Sequence, residues 1–175
     1  MRFALAIAVI FATLLIDLSS KWLIETHVMN PPHVIPIVPS FDIVLGYNRG
    51  VSLGLFNSGN PYAPCALAAF ALVVIIVLSV ALWRSNSLVH TTGFAAIIGG
   101  ALGNVVDRLG DGAVTDFLDF YVGQYHWPTF NLADTFIFCG VILLFIPHTR
   151  AKRSQVLRAN NRRVESHEQN VPVYA

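Results

Sequence analysis

The chain has 175 residues, of which 55% are hydrophobic and only 12% are charged, and its formal net charge is +1. Soluble domains carry about 25% charged residues, so this composition excludes an ordinary soluble domain and favours an integral membrane protein. Basic residues concentrate in residues 150–175 without aromatic interleaving or a fold motif, so we expect no nucleic-acid partner. Cys65 and Cys139 both lie in apolar runs, which argues against a disulfide framework or a zinc site.

Four apolar segments follow one another along the chain, at about 3–24, 62–83, 88–107 and 131–148. Each has roughly the 20 residues that a ~30 Å hydrocarbon core requires, so we expect an all-α integral membrane protein with four transmembrane helices. The first segment also resembles a signal peptide. We interpret it as a span because no small-x-small cleavage site follows and the apolar character resumes at Trp22.

The basic residues indicate how these spans are oriented. Arg2, Arg84 and the basic residues of the tail fall on one side, which the positive-inside rule makes cytoplasmic. Residues 25–61 and 108–130 then face outward. Two β-branched runs in the first of these regions, at 34–38 and 41–45, predict a small extracytoplasmic β element. We expect a membrane domain at 1–149 and a disordered, basic cytoplasmic tail at 150–175.

The charged side chains inside the spans converge on the outward half of the membrane. At 1.5 Å per residue, Asp17 lies roughly 21 Å into the first span, and Lys21 follows one turn later on the same face. Asp107 closes the third span, and Asp134 lies just inside the fourth. A carboxylate at membrane depth costs several kcal/mol, so such residues are rare and usually functional.

Two Asn-x-x-Asp repeats, Asn104 to Asp107 and Asn131 to Asp134, each place an amide and a carboxylate on one helical face. The second repeat has another interpretation. Asn131 fits a helix N-cap, and Asp134 at the third helical position is favoured by the helix dipole. Capping alone does not account for a further aspartate in the second outward region.

That further aspartate is Asp116, which lies among apolar neighbours that we expect to raise its pKa. Two carboxyl groups held close in a pocket of low dielectric cannot both ionise, so they share a proton. One can then activate water while its protonated partner polarises a carbonyl. This is the chemistry of aspartic proteases, and it requires no metal or other cofactor.

In their order along the chain, these motifs resemble those of the lipoprotein signal peptidases (signal peptidase II), which are four-span aspartic endopeptidases of the bacterial cytoplasmic membrane. The matching motifs are Asp17-x-x-x-Lys21, Asn48-x-Gly50, Gly99-Gly-Ala-Leu-Gly-Asn104-x-x-Asp107-Arg108, Asp116-Phe117 and Phe130-Asn131-x-Ala133-Asp134. Two positions depart from the family pattern: Ser52-Leu53-Gly54 replaces an Ala-Phe-type continuation, and Thr115 stands where a second Val often precedes the aspartate.

The resemblance implies that Asp116 and Asp134 form the catalytic dyad. It implies that a second group of residues binds substrate or supports the dyad: Asn48, Gly50, Asn104, Asp107, Arg108, Asn131, Asp17 and Lys21. Among these, we expect Arg108 to pair with a carboxylate of the site.

The implied substrate is a prolipoprotein whose lipobox cysteine carries a diacylglyceryl group, and cleavage falls just before that cysteine. The implied setting is the bacterial inner membrane, with both termini cytoplasmic and the site near the outer leaflet. We expect a monomer surrounded by membrane lipids.

Three other functions fit parts of the sequence. Residues 50–54 match the G-x-S-x-G signature of serine esterases, although that motif needs an α/β scaffold. A small proton-coupled transporter would use Asp17 and Asp134 as relay sites, although the chain has no inverted repeat. A metal-dependent phospholipid-processing enzyme would bind Mg²⁺ through aspartates of the outward region, namely Asp107, Asp111, Asp116 and Asp119.

Overall fold

The computed structural model describes residues 1–50 and 62–147, and the structural statements below concern these residues. Residues Met1–Phe145 form one compact unit. In chain order its elements are α1 (Arg2–Leu23) with one π-helical turn (Ile24–Val28), β1 (Ile35–Val38), β2 (Phe41–Asn48), α2 (Ala63–Arg84), α3 (Leu88–Gly110), β3 (Val114–Val122), β4 (Tyr125–His126) and α4 (Leu132–Leu144). The predicted tail at 150–175 and the Ser52 motif lie outside the described residues.

Three of the described helices, α1 with its π turn, α2 and α3, are long and apolar enough to cross a membrane. The fourth, α4, is apolar but has only 13 residues, and it ends at Leu144 instead of the predicted position 148. Pro147 explains this earlier end, because proline has no backbone N–H to donate and disfavours helical geometry in the residue before it. The apolar helices predicted from the sequence are therefore present, while the count of four complete spans stays a prediction.

Helix α3 packs against each of the other three helices, and its small residues allow close approach. A Cβ atom on Gly99 would lie 2.7 Å from the carbonyl oxygen of Ile10 in α1. A Cβ atom on Gly100 would lie 2.5 Å from the carbonyl oxygen of Ala133 in α4. Small residues that bring helix backbones together are common in membrane proteins. Here they bring the polar residues of α1, α3 and α4 into contact.

The strands form one antiparallel sheet in the order β1-β2-β3-β4. The first two strands confirm the predicted β element, whereas β3 was predicted only as part of an outward loop. Its sequence is rich in Val, Thr, Phe and Tyr and lies between Gly112 and Gly123, both at positive φ, which is a strand signal. The pairing of β2 with β3 sets Gly46 opposite Asp116 and brings Asn48 to the same end of the sheet.

Candidate active site

Asp116 lies on β3 with only 2% of its surface exposed, and both of its carboxylate oxygens accept hydrogen bonds. Asn48 Nδ2 donates to Oδ2 at 3.1 Å, and Asn131 Nδ2 donates to Oδ1 at 2.8 Å. The backbone N–H of Gly50 donates to Asn48 Oδ1 at 3.1 Å, which fixes the orientation of that amide. Two amide donors from different elements therefore hold the buried carboxyl group in place.

Asp134 lies in the first turn of α4 and forms a capping box with Asn131. Its N–H donates to Asn131 Oδ1 at 3.0 Å, and its Oδ2 accepts from the Asn131 N–H at 3.3 Å. Its other oxygen, Oδ1, accepts from Asn104 Nδ2 at 2.9 Å. The N-cap interpretation of Asn131 is therefore confirmed. The same asparagine caps the helix through its oxygen and bonds to Asp116 through its nitrogen, so it links the two carboxyl groups.

Burial of Asp116 raises its pKa from 3.8 to about 7, and the negative charge of Asp134 contributes to this rise. The hydrogen bonds from Asn48 and Asn131 and the charge of Lys21 act in the opposite direction. Desolvation dominates because the group is almost fully enclosed. Near neutral pH, Asp116 therefore exists in both protonation states, which suits a group that gives and takes protons.

A buried network of charges lies next to this site and connects three helices. Lys21 Nζ contacts Asp17 Oδ2 at 2.7 Å and Asp107 Oδ2 at 2.8 Å, and it donates to Asn104 Oδ1 at 3.1 Å. These three contacts use all three donors of the ammonium group. Asp17 also accepts from the backbone N–H of Ala133 at 2.8 Å. The network therefore fixes both Asn104 and the start of α4, on which Asp134 depends.

Arg108 does not form the ion pair predicted for it. Among the described residues its hydrogen bonds go to backbone carbonyls, at 3.2 Å to Asn104 and 3.5 Å to Gly50, and its Nε has no partner. The reason lies in α3 itself. The Asn104 carbonyl is one helical turn away, while the neighbouring carboxylate of Asp107 is held by Lys21. Arg108 still interacts electrostatically with Asp134 and Asp116.

Comparison with known proteins identifies the family. The sequence model of the family described as Signal peptidase (SPase) II matches residues 9–150. The chain belongs to the signal peptidase II family. A lipoprotein signal peptidase of Solibacter usitatus is 44% identical over 151 residues, which are 83% of this chain and 89% of that protein. A lipoprotein signal peptidase of Serratia proteamaculans is 36% identical over 140 residues, which cover 78% and 82% of the two chains.

A solved structure supports the same placement. It is a bacterial membrane enzyme determined by the in meso method at 2.3 Å resolution, with a TM-score of 0.68 and 27% identity. The match covers 81% of this chain and 85% of the other. The resemblance noted from the motifs is therefore confirmed at the level of the family. This signal peptidase II chain is related to membrane enzymes in both sequence and fold.

The aspartates named for a magnesium site take part in separate interactions in this signal peptidase II chain. Asp107 binds Lys21, whereas Asp119 faces His126 at 2.7 Å. In residues 1–50 and 62–147, no group of three His, Cys, Asp or Glu side chains is placed to hold a metal ion. The geometry therefore offers no assembled cation site in this part of the chain.

An apolar cleft of about 1020 Å³ opens beside Asp134. Its walls come from β3, the β3–β4 hairpin and α4, and they are mainly aromatic: Phe120, Tyr121, Trp127, Phe130 and Phe138. A cleft with this lining suits an apolar ligand, and its contact with Asp134 gives such a ligand access to a carboxyl group.

One residue of this region, Glu25, was missed by the sequence analysis. Glu25 follows Lys21 by four residues, so Asp17, Lys21 and Glu25 form one charged stripe along α1 and its π turn. Glu25 accepts a hydrogen bond from the Thr115 hydroxyl, next to Asp116. The four-residue spacing was the available signal. It was overlooked because Glu25 falls just beyond the predicted end of the first span.

Proposed function

We propose that this protein is a membrane aspartic endopeptidase that removes signal peptides from diacylglyceryl-modified prolipoproteins by cleaving just before the lipidated cysteine. Membership of the signal peptidase II family and relatives named lipoprotein signal peptidase support the cleavage of prolipoproteins. The observation that carries the aspartic mechanism is the double role of Asn131. It donates to Asp116 at 2.8 Å while it forms a capping box with Asp134.

In the proposed reaction, Asp116 and Asp134 share one proton. The ionised member of the pair takes a proton from water, and the resulting hydroxide attacks the scissile carbonyl. The protonated member donates a hydrogen bond to the carbonyl oxygen as negative charge develops there. The tetrahedral intermediate collapses when the leaving nitrogen receives a proton from the pair, which breaks the peptide bond and restores the starting protonation state.

The surroundings of the two carboxyl groups suit this substrate. The aromatic cleft beside Asp134 offers an apolar surface to a lipid-modified peptide. Arg108 interacts electrostatically with Asp134 and Asp116 and donates only to backbone carbonyls among the described residues, so its guanidinium lies near the pair without being neutralised by either carboxylate. We propose that Arg108 donates to a substrate oxygen instead of pairing with a carboxylate.

We propose four spans with both termini in the cytoplasm, a membrane domain at 1–149 and a basic cytoplasmic tail at 150–175. In this arrangement the active site faces the outer leaflet of the inner membrane. Asp17 lies fifteen residues after the start of α1, about 22 Å along the helix axis, which supports a deep position on the far side. We also propose that the protein works as a monomer.

The direct test is cleavage of a diacylglycerylated lipobox peptide by the purified protein in lipid vesicles, with products identified by mass spectrometry. We expect cleavage before the lipidated cysteine, with less than a hundredth of that rate for the same peptide without lipid. Addition of EDTA should leave the cleavage rate unchanged. The Asp134→Asn variant should not cleave the peptide. Equal turnover of both peptides would refute the proposed substrate class, and loss of activity in EDTA would favour the metal-dependent alternative.

A further inference from the structure

Thr115 is buried directly before Asp116 on β3, and each of its polar groups bonds to a different element. Its N–H donates to Asp107 Oδ2 in α3 at 3.3 Å. Its carbonyl accepts from Asn131 Nδ2 at 3.2 Å. Its hydroxyl donates to Glu25 Oε1, ninety residues earlier in the chain. The backbone that carries Asp116 is therefore tied to α3, to the start of α4 and to the end of α1.

Glu25 belongs to the π turn that extends α1, in which the Met29 N–H donates to the Ile24 carbonyl at 2.7 Å. The same turn packs against the residue that follows Asp116. Ile24 and Met29 form a buried apolar cluster with Phe117. One short segment therefore contacts both neighbours of Asp116, through a hydrogen bond on one side and apolar packing on the other. π-helical turns occur frequently at functional sites.

We propose that Thr115 and Glu25 are a positioning pair that sets the distance between Asp116 and its two amide donors. This inference rests on the proposed function, because it assigns the pair to the geometry of the reacting carboxyl group. The Asn131 amide contacts both the Thr115 carbonyl and Asp116 Oδ1, so a shift of Thr115 changes both contacts. On the other side of Asp116, the Asn48 contact depends on the pairing of β2 with β3.

The test uses variants that remove one group at a time from the full-length protein. Thr115→Val keeps the shape of the side chain and removes its hydroxyl, and Thr115→Ser keeps the hydroxyl. Glu25→Met removes the carboxylate that accepts from this hydroxyl and keeps a side chain of similar length. Thr92→Val is the matched control, because the Thr92 hydroxyl donates within its own helix, to the Leu88 carbonyl. Each variant is assayed for kcat, KM and the pH profile of peptide cleavage.

We expect Thr115→Val and Glu25→Met each to lower kcat about tenfold with KM within about twofold, since the hydrogen bond from the Thr115 hydroxyl to a charged group is lost in both. The double variant should be no slower than the slower single variant, because both changes break the same hydrogen bond. Thr115→Ser and Thr92→Val should keep most of the activity. The hydrogen bonds from Asn48 and Asn131 hold the pKa of Asp116 down, so weakening them should raise this pKa. The limb of the pH profile that reports Asp116 (the pH limb) should therefore move to higher pH.

Wild-type kcat and an unmoved pH limb in Thr115→Val would overturn the pairing. It would also be overturned if the fold-loss in kcat of the double variant equalled the product of the two single losses. A purely structural role predicts a lower thermal midpoint with an unchanged pH limb, and this result also counts against the proposal. If Thr115→Val fails to fold, Glu25→Met removes the same hydrogen bond from the other side, and wild-type kcat with an unmoved pH limb in that variant would overturn the pairing. Asp116→Asn in the same assay distinguishes failure of the positioning pair from failure of the proposed function. Retained activity in Asp116→Asn would refute the proposed function itself.

Discussion

Replacing Asp116 with asparagine should stabilise the folded protein at alkaline pH relative to acidic pH, in addition to removing activity. Folding raises the pKa of this carboxyl group from 3.8 to about 7, because the side chain is buried close to Asp134. Between these two values the folded protein binds the proton more tightly than the unfolded chain does. The contribution of the group to stability is therefore fully present below pH 3.8 and is lost as the pH rises through about 7.

The size of this effect follows from the same two pKa values. Each tenfold change in a protonation constant corresponds to 1.36 kcal/mol, so the ionised group costs the folded state about 4 kcal/mol at pH 8. Asparagine has the shape of the acid and carries no charge, but its NH2 group faces one of the two amide donors, so one hydrogen bond is lost at every pH. The free energy of unfolding of Asp116→Asn, relative to that of the wild type, should therefore be about 2–3 kcal/mol higher at pH 8 than at pH 5.

The assay is equilibrium unfolding in mixed detergent micelles at several pH values, with Asp111→Asn as the control. Asp111 is an exposed aspartate at the end of α3, so its replacement should change stability by less than about 0.5 kcal/mol at each pH. A stability difference between Asp116→Asn and the wild type that does not grow with pH would refute the reasoning, because it would not come from a buried charge.

Three further substitutions test other parts of the structure. Lys21→Met leaves two buried carboxylates without their cation and should lower the free energy of unfolding by about 3–5 kcal/mol, measured in the same unfolding assay. Gly100→Ala forces a Cβ atom to 2.5 Å from a backbone carbonyl of α4 and should cost about 1–3 kcal/mol, whereas Gly110→Ala meets no atom within 4 Å and should be tolerated. Ser52→Ala should keep wild-type cleavage, and its loss would favour the serine esterase alternative.

Much of the fold could be predicted from the sequence because its strongest signals are local. The length of the apolar segments predicted the helices, because runs of about 20 apolar residues are unfavourable in water and are long enough to cross a membrane as a helix. The N-cap at Asn131 was visible from its spacing to Asp134, because capping depends on residues only three positions apart. The first two strands were visible as β-branched runs between Pro and Gly residues.

Other features depend on contacts between distant residues and were missed or misjudged. The strand β3 forms by pairing with β2, about seventy residues earlier, and its short run between two spans was interpreted as a loop. Arg108 was expected to pair with a carboxylate. The structure shows that Lys21, from another helix, already neutralises Asp107, the carboxylate next to Arg108 in the sequence. The link from Asn131 to Asp116 also spans two elements, so both residues could be predicted as site residues while the contact between them could not.

The most direct test of the proposed dyad is single-turnover cleavage of the diacylglycerylated peptide by Asp116→Asn, Asp134→Asn and the double variant. Groups that act as one unit show strongly non-additive effects. We expect each single change to lower the rate at least about a thousandfold, and the double variant to be no slower than the slower single variant. Near wild-type cleavage by either single variant, or losses that multiply in the double variant, would contradict a shared-proton mechanism at Asp116 and Asp134.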